Sequence, residues 1–280
     1  MKCPLILLFA LAIQPLYSQE NALSDEYKKE TIEKLSLLIQ DFYIYPDVAK
    51  KTSEHLYQQY EAGYFDPCKD NEAFATVLTE SVQSVNKDKH MKIMSNATYI
   101  APENTLEAKA AHRMDQINHY RNYNHGFKEL KMLEGNVAYL DLRMFDPLYR
   151  AKEVADAYMK LLSLSDAVII DLTHNGGGDP SMVQYLCSYF FDKKLHLNSL
   201  YYREGDRTEE YWTLEKVEGK KLADIPLFIM IGDETFSGAE EFSYNMQNLK
   251  RATLIGQTSA GGANPGETRG INKDLSVFIP

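Results

Sequence analysis

The chain has 280 residues, 44% of them hydrophobic and 25% charged, the composition of an ordinary globular protein long enough for about two domains. A formal net charge of −10 without a dense Lys/Arg run argues against a nucleic-acid surface. There is no CxxC and no HExxH among the residues, so neither a zinc ribbon nor a redox pair is supported, and no metal or cofactor is expected.

The opening stretch MKCPLILLFALAIQPLYSQE reads as a secretory signal. Lys2 is the charged start, Leu5 to Ile13 is an apolar run too short to span a bilayer, and Leu16, Tyr17 and Ser18 give a loose cleavage site. Residues 1–19 are therefore expected to be removed, leaving an exported chain, periplasmic or secreted, without a transmembrane span. Cys3 lacks the preceding small residue that lipidation needs. Cys68 and Cys187 remain; they either pair in an oxidising compartment or stay as buried thiols.

Residues 20–95 carry a helical pattern. Ile32, Leu35, Leu38 and Ile39 recur at helical spacing, and Pro46 ends that run. Val48 to Tyr60 gives a second helix, and Phe74, Val77, Leu78, Val82 and Val85 mark a third. This is a small antiparallel helical domain. Residues 96–125 form a polar linker carrying a helix from about Thr105 to Tyr120.

From residue 126 the character changes. A hairpin turns at Glu134-Gly135-Asn136, and a helix runs from Pro147 to about Leu162. DAVIIDL is a buried strand, THNGGGDP a glycine loop, and Ser181 to Phe191 a helix. SLYYRE, EYWTLEKV, PLFIMIG, ATLIG and LSVFIP read as strands, with a helix after Ser237 and a loop at SAGGANPG. Strands alternating with helices give an α/β core over residues 126–280.

Ser237 in GDETFSGAEEF sits on a strand-to-helix turn. Taken alone it reads first as a helix cap, with Glu240 placed as in a capping box. The same placement suits a nucleophile, because the Gly238 N–H and the helix N-terminus point where an oxyanion would form. The three glycines at 176–178 allow backbone conformations closed to other residues and could turn N–H groups toward an anion. They match neither GxxxxGK[ST] nor GxGxxG. His90 in NKDKHMKIM and His174 in the glycine loop are the competing candidates for a base; His112, His119 and His125 read as solvated linker residues.

Together these segments resemble the serine peptidases that include the C-terminal (tail-specific) processing peptidases, the tricorn protease core and the interphotoreceptor retinoid-binding protein repeats. AVIIDLTHNGGGDP is similar to that family's D-L-R-x-N-x-G-G segment, DETFSGAEEF to its serine segment, and LIGQTSAGGANPG to the loop that follows. Asp88, His90 and Met91 match the D-x-H of the retinoid-binding-protein-like branch. The resemblance implies a crotonase-like α/β core behind a helical domain, Ser237 as nucleophile, His90 as general base, and Gly238 and Gly177 as oxyanion donors. The expected function is an exported serine-type endopeptidase acting on a polypeptide substrate. The alternative is a non-catalytic protein of the same fold binding an apolar ligand or peptide. An acyl-CoA enzyme on a crotonase-like core is disfavoured.

Four departures qualify the match. TSAGG, Thr258 to Gly262, lacks the lysine of a Ser–Lys dyad, and too few residues separate His90 from Phe127 for a PDZ domain. The arginine of the D-L-R segment is Thr173. The branch's orienting glutamate would lie beyond LSVFIP, so the 280 residues are expected to be a truncated form or a fragment. Glu267 does not fit that position.

Overall fold

Helix starts are written in the capping residues. The structure, a computed structural model, describes residues 23–95 and 106–280. The expected leader at 1–19 lies outside the described residues. Ser24 opens α1 (Asp25–Phe42) by accepting the Tyr27 N–H at 3.1 Å, and Asp70 opens α3 (Asn71–Asn86) by accepting the Ala73 N–H at 2.8 Å. Pro46 occupies the first turn of α2 (Pro46–Glu61), where its missing N–H costs nothing. A short strand, β1 (Ile93–Ser95), follows, and the linker carries α4 (Leu106–Arg121).

The second half forms a five-stranded sheet in the order β2-β3-β4-β7-β8. β2 (Phe127–Leu133) and β3 (Val137–Leu142) make the antiparallel hairpin. β4 (Ala167–Asp171), β7 (Leu227–Ile231) and β8 (Thr253–Gly256) continue it in parallel. Connections run through α5 (Leu148–Leu162), α6 (Pro180–Ser188) and α7 (Gly238–Asn248). Because β4 and β7 are parallel neighbours, with Asp171 opposite Met230, the segments leaving their C-terminal ends emerge side by side. Those segments are the glycine loop and the Ser237 turn.

A separate hairpin pairs β5 (His196–Tyr202) with β6 (Arg207–Trp212). The strand expected over EYWTLEKV stops at Trp212, where the Thr213 hydroxyl accepts the Leu195 N–H and donates to the Lys193 carbonyl. The expected helix from Ser181 to Phe191 ends at Ser188.

β9 (Glu267–Gly270) and β10 (Leu275–Ile279) join β1 in a three-stranded antiparallel sheet, with Ile93 opposite Val277. The side chains of Ile271, Leu275, Val277 and Ile279 enter the core of α1, α2 and α3 rather than that of the five-stranded sheet. β9, with its polar sequence ETRG, carries no periodic signal and is held by its pairing with β10. Cys68 and Cys187 are free and lie in the two different cores; burial pushes both thiols up in pKa.

Leu275 is 2% exposed. Leu275→Ala should therefore cost about 2–5 kcal/mol. Hydrogen exchange should accelerate first in α1–α3 and β1, ahead of β3, β4 and β7. Uniform acceleration across both cores would contradict the assignment of these C-terminal strands to the helical layer.

Candidate active site

Ser237 is held at φ 53°, ψ −120°, far from the extended backbone of an ordinary N-cap. A non-glycine residue at positive φ is strained and persists only where its surroundings fix it. Here they do. The Phe236 N–H donates to the Asn175 carbonyl at 3.0 Å, and the Thr235 hydroxyl donates to the Leu172 carbonyl at 2.7 Å. The Ser237 N–H donates to Glu240 Oε2 at 2.9 Å, the Glu240 arm of the expected capping box. The capping box and the exposed-turn geometry coexist at one residue.

The glycine loop packs directly on this turn. Gly177 has φ +101°, and a Cβ there would stand 2.7 Å from Gly238 N and 2.8 Å from Ser237 Cβ. Only glycine fits so close an approach. The Gly177 N–H, however, donates to Asn175 Oδ1 at 2.8 Å, which corrects its choice as an oxyanion donor. A Cβ on Gly238 would lie 3.0 Å from Gly178 N, and among the described residues neither of these two N–H groups donates a hydrogen bond. Gly178 itself is wedged against Phe145, with which it forms a β-bridge.

His90 reaches the same cavity from the helical layer. Its side chain is 8% exposed, and its ring lies 4.2 Å from the ring of Phe236 and 5.7 Å from that of Phe278, centroid to centroid. Nδ1 is 3.4 Å from Asp88 Oδ1 and has no closer polar partner among the described residues. Asp88 also accepts the His90 N–H at 3.0 Å and the Tyr43 hydroxyl at 3.3 Å. Burial raises the Asp88 pKa, but the His90 ring and backbone N–H more than offset it and hold the carboxyl below its ordinary 3.8.

Ser237, Gly178, Gly238, Asp88 and His90 line one cavity of about 1260 Å³ between the helical layer and the α/β half. His174 is not among its lining residues: it is half exposed and pairs with Glu234 at 2.9 Å. Glu267 is exposed at the start of β9. His125, read from sequence as solvated, is instead 7% exposed and bonded to the fully buried Asp146 at 2.7 Å. A carboxylate taken out of water needs such partners, and Arg150 supplies a second.

Two acidic residues acquire roles the motif did not reveal. Glu240 accepts hydrogen bonds from the Ser259 hydroxyl at 2.6 Å, the Gly261 N–H at 2.8 Å and the Gly262 N–H at 2.7 Å, besides that of Ser237. It thereby draws the 259–262 loop over the His90 and Phe236 rings. Glu241 also lines the cavity; burial, followed by the nearby Asp179 charge and against the Asn198 hydrogen bond, pushes its pKa up to about 7.

The sign of the Glu241 linkage follows. Between its ordinary 4.5 and about 7 the folded state binds a proton that the unfolded state has lost. Stability therefore falls as pH rises through this window, by up to about 3 kcal/mol. Urea unfolding near pH 5 and near pH 8 should show that Glu241→Gln narrows the difference between the two conditions, mainly by stabilising the protein at the higher pH.

Comparison with known proteins agrees with this fold. The solved structure of a protein from Parabacteroides merdae superposes with a TM-score of 0.59 at 16% identity, covering 90% of this chain and 82% of that one. A lipoprotein from Streptococcus agalactiae gives 0.55 at 15%, covering 90% and 83%. The carboxy-terminal processing protease CtpA of Bacillus subtilis is 25% identical over 132 residues, 47% of this chain and 27% of CtpA, so the match spans about a quarter of that relative. The family model for the N-terminal domain of peptidase S41 in eukaryotic IRBP matches residues 23–124. That for peptidase family S41 matches residues 136–278, just over half of the sequence, and the chain accordingly belongs to peptidase family S41.

Proposed function

We propose that the protein is an exported serine peptidase that cleaves polypeptides through an acyl-enzyme on Ser237. The observation that carries this reading is the pair of adjacent N–H groups at Gly178 and Gly238, which donate to no acceptor among the described residues, beside a serine held at positive φ. A serine hydroxyl needs a base to take its proton and donors to meet the oxyanion. In this reading Ser237 Oγ attacks the peptide carbonyl while His90 accepts its proton. The Gly178 and Gly238 N–H groups stabilise the oxyanion, and Asp88 keeps the imidazole in place. His90 then protonates the departing amine, which leaves Ser237 acylated. Water, deprotonated by the same imidazole, releases the acyl product.

A fluorophosphonate should label the wild-type protein and not Ser237→Ala. Labelling retained in Ser237→Ala would move the nucleophile elsewhere, and labelling of neither would favour the peptide-binding alternative. His90→Ala should slow peptide hydrolysis roughly 10²–10⁴-fold. Gly177→Ala should slow it about 10²-fold or more while leaving Ser237 in the chain, because the new methyl pushes the glycine loop off the Ser237 turn. For export, N-terminal sequencing of protein recovered outside the cytoplasm should begin near Gln19 or Glu20; an intact Met1 there would exclude cleavage.

A further inference from the structure

The carboxylates that line the cavity are satisfied, with one exception. Asp88 is held by His90 and Tyr43, Asp146 by His125 and Arg150, and Asp179 by the N–H and hydroxyl of Ser181. Glu240 receives four donors. Among the described residues Glu241 receives only the Asn198 amide, at 2.8 Å on Oε1, and the groups acting on it are that amide and the like charge of Asp179. The cations of the cavity are committed elsewhere: Arg150 to Asp146 and Gln116, and Lys87 to the Ser84 carbonyl. Beside Glu241, Asn198 Oδ1 is a buried acceptor, and Asn245 Nδ2 next to it a buried donor, with no partner among the described residues. A carboxyl withdrawn from water beside an unused acceptor is unfavourable until a cationic donor arrives.

Position makes this more than an isolated defect. Glu241 lies about one turn into the helix that Ser237 precedes, and both residues line the cavity. Asn198, Leu200 and Tyr202 of β5 form the facing wall of the cavity. Leu200 and Tyr202 offer apolar surface to an alkyl stem, with the acceptors of Glu241 and Asn198 at its end. That combination suits a long side chain tipped with a charged donor.

We propose that Glu241 and Asn198 form the pocket for a lysine or arginine side chain of the substrate, on the residue whose carbonyl is presented to Ser237. The assignment rests on the serine-peptidase reading for its location next to the cleaved bond, but not for its chemistry.

The test uses fluorescently labelled peptides identical except for lysine, norleucine or glutamate at one position, titrated into full-length Ser237→Ala protein and followed by anisotropy. Lysine should bind at least tenfold tighter than norleucine, with glutamate weakest. In the Ser237→Ala, Glu241→Gln double variant the lysine advantage should fall below twofold. Equal affinity for lysine and norleucine, or an advantage that survives Glu241→Gln, would overturn the pocket. If that variant does not fold, Asn198→Ala replaces it: the advantage should shrink at least threefold, and an unchanged advantage would count against the proposal. The same peptides offered to wild-type protein separate the two claims. A Glu241-dependent lysine preference in binding without any hydrolysis leaves the pocket and removes the peptidase reading. Hydrolysis indifferent to lysine does the reverse.

Discussion

The carboxylate of Glu240 joins the parts of the site. It takes hydrogen bonds from the Ser237 N–H on one side and from Ser259, Gly261 and Gly262 on the other. Charge-assisted bonds of this kind are stronger than neutral ones and are worth most away from water. One side chain therefore fixes the unusual backbone of the serine and lays a loop across the His90 imidazole. The loop is close enough that a Cβ on Gly262 would come within 2.6 Å of His90 Cε1. Lys89 adds a second tie by donating to the Ala260 carbonyl at 2.8 Å. The serine turn and the loop over the His90 ring thus share one carboxylate.

The sheet supplies what that carboxylate cannot. Parallel register between β4 and β7 brings the glycine loop and the serine turn out at the same end of the sheet. The absence of side chains at Gly177 and Gly178 then lets the two segments approach to backbone contact. His90 arrives from the other core, and its ring packs on Phe236 from the serine turn and on Phe278 from β10. Aromatic packing therefore sets where the imidazole lies, with Asp88 Oδ1 3.4 Å from its Nδ1.

Much of this was legible in the residues. Apolar runs bounded by glycine and proline gave the strands and helices, and PLFIMI before GDETFSGAEEF gave the strand–turn–helix that exposes Ser237. His90 had no such local signal, since nothing in NKDKHMKIM says that a second core will fold over it; only the D-x-H resemblance singled it out. The choice among three consecutive glycines was beyond sequence, because it depends on the direction of the Asn175 side chain. His125 misled for a related reason. A histidine in a polar stretch reads as solvated unless one knows that a buried aspartate 21 residues later requires it. Glu241 stayed hidden behind Glu240, whose capping role explains an acidic residue at the helix start without calling for a second.

The pairing of β1 with β10 has a consequence for the order of events during synthesis. Ile93 and Val277 are neighbours in the sheet, although most of the chain separates them. Closing a loop of that size is entropically slow, and it cannot begin before the later strand has left the ribosome. Until then His90 lacks the ring of Phe278, and the first core lacks four of its apolar side chains. A nascent chain would thus carry its serine turn for some time without a settled imidazole. Pairing β1 with β10 thus makes the packing around the His90 ring wait on a strand translated long after the histidine itself.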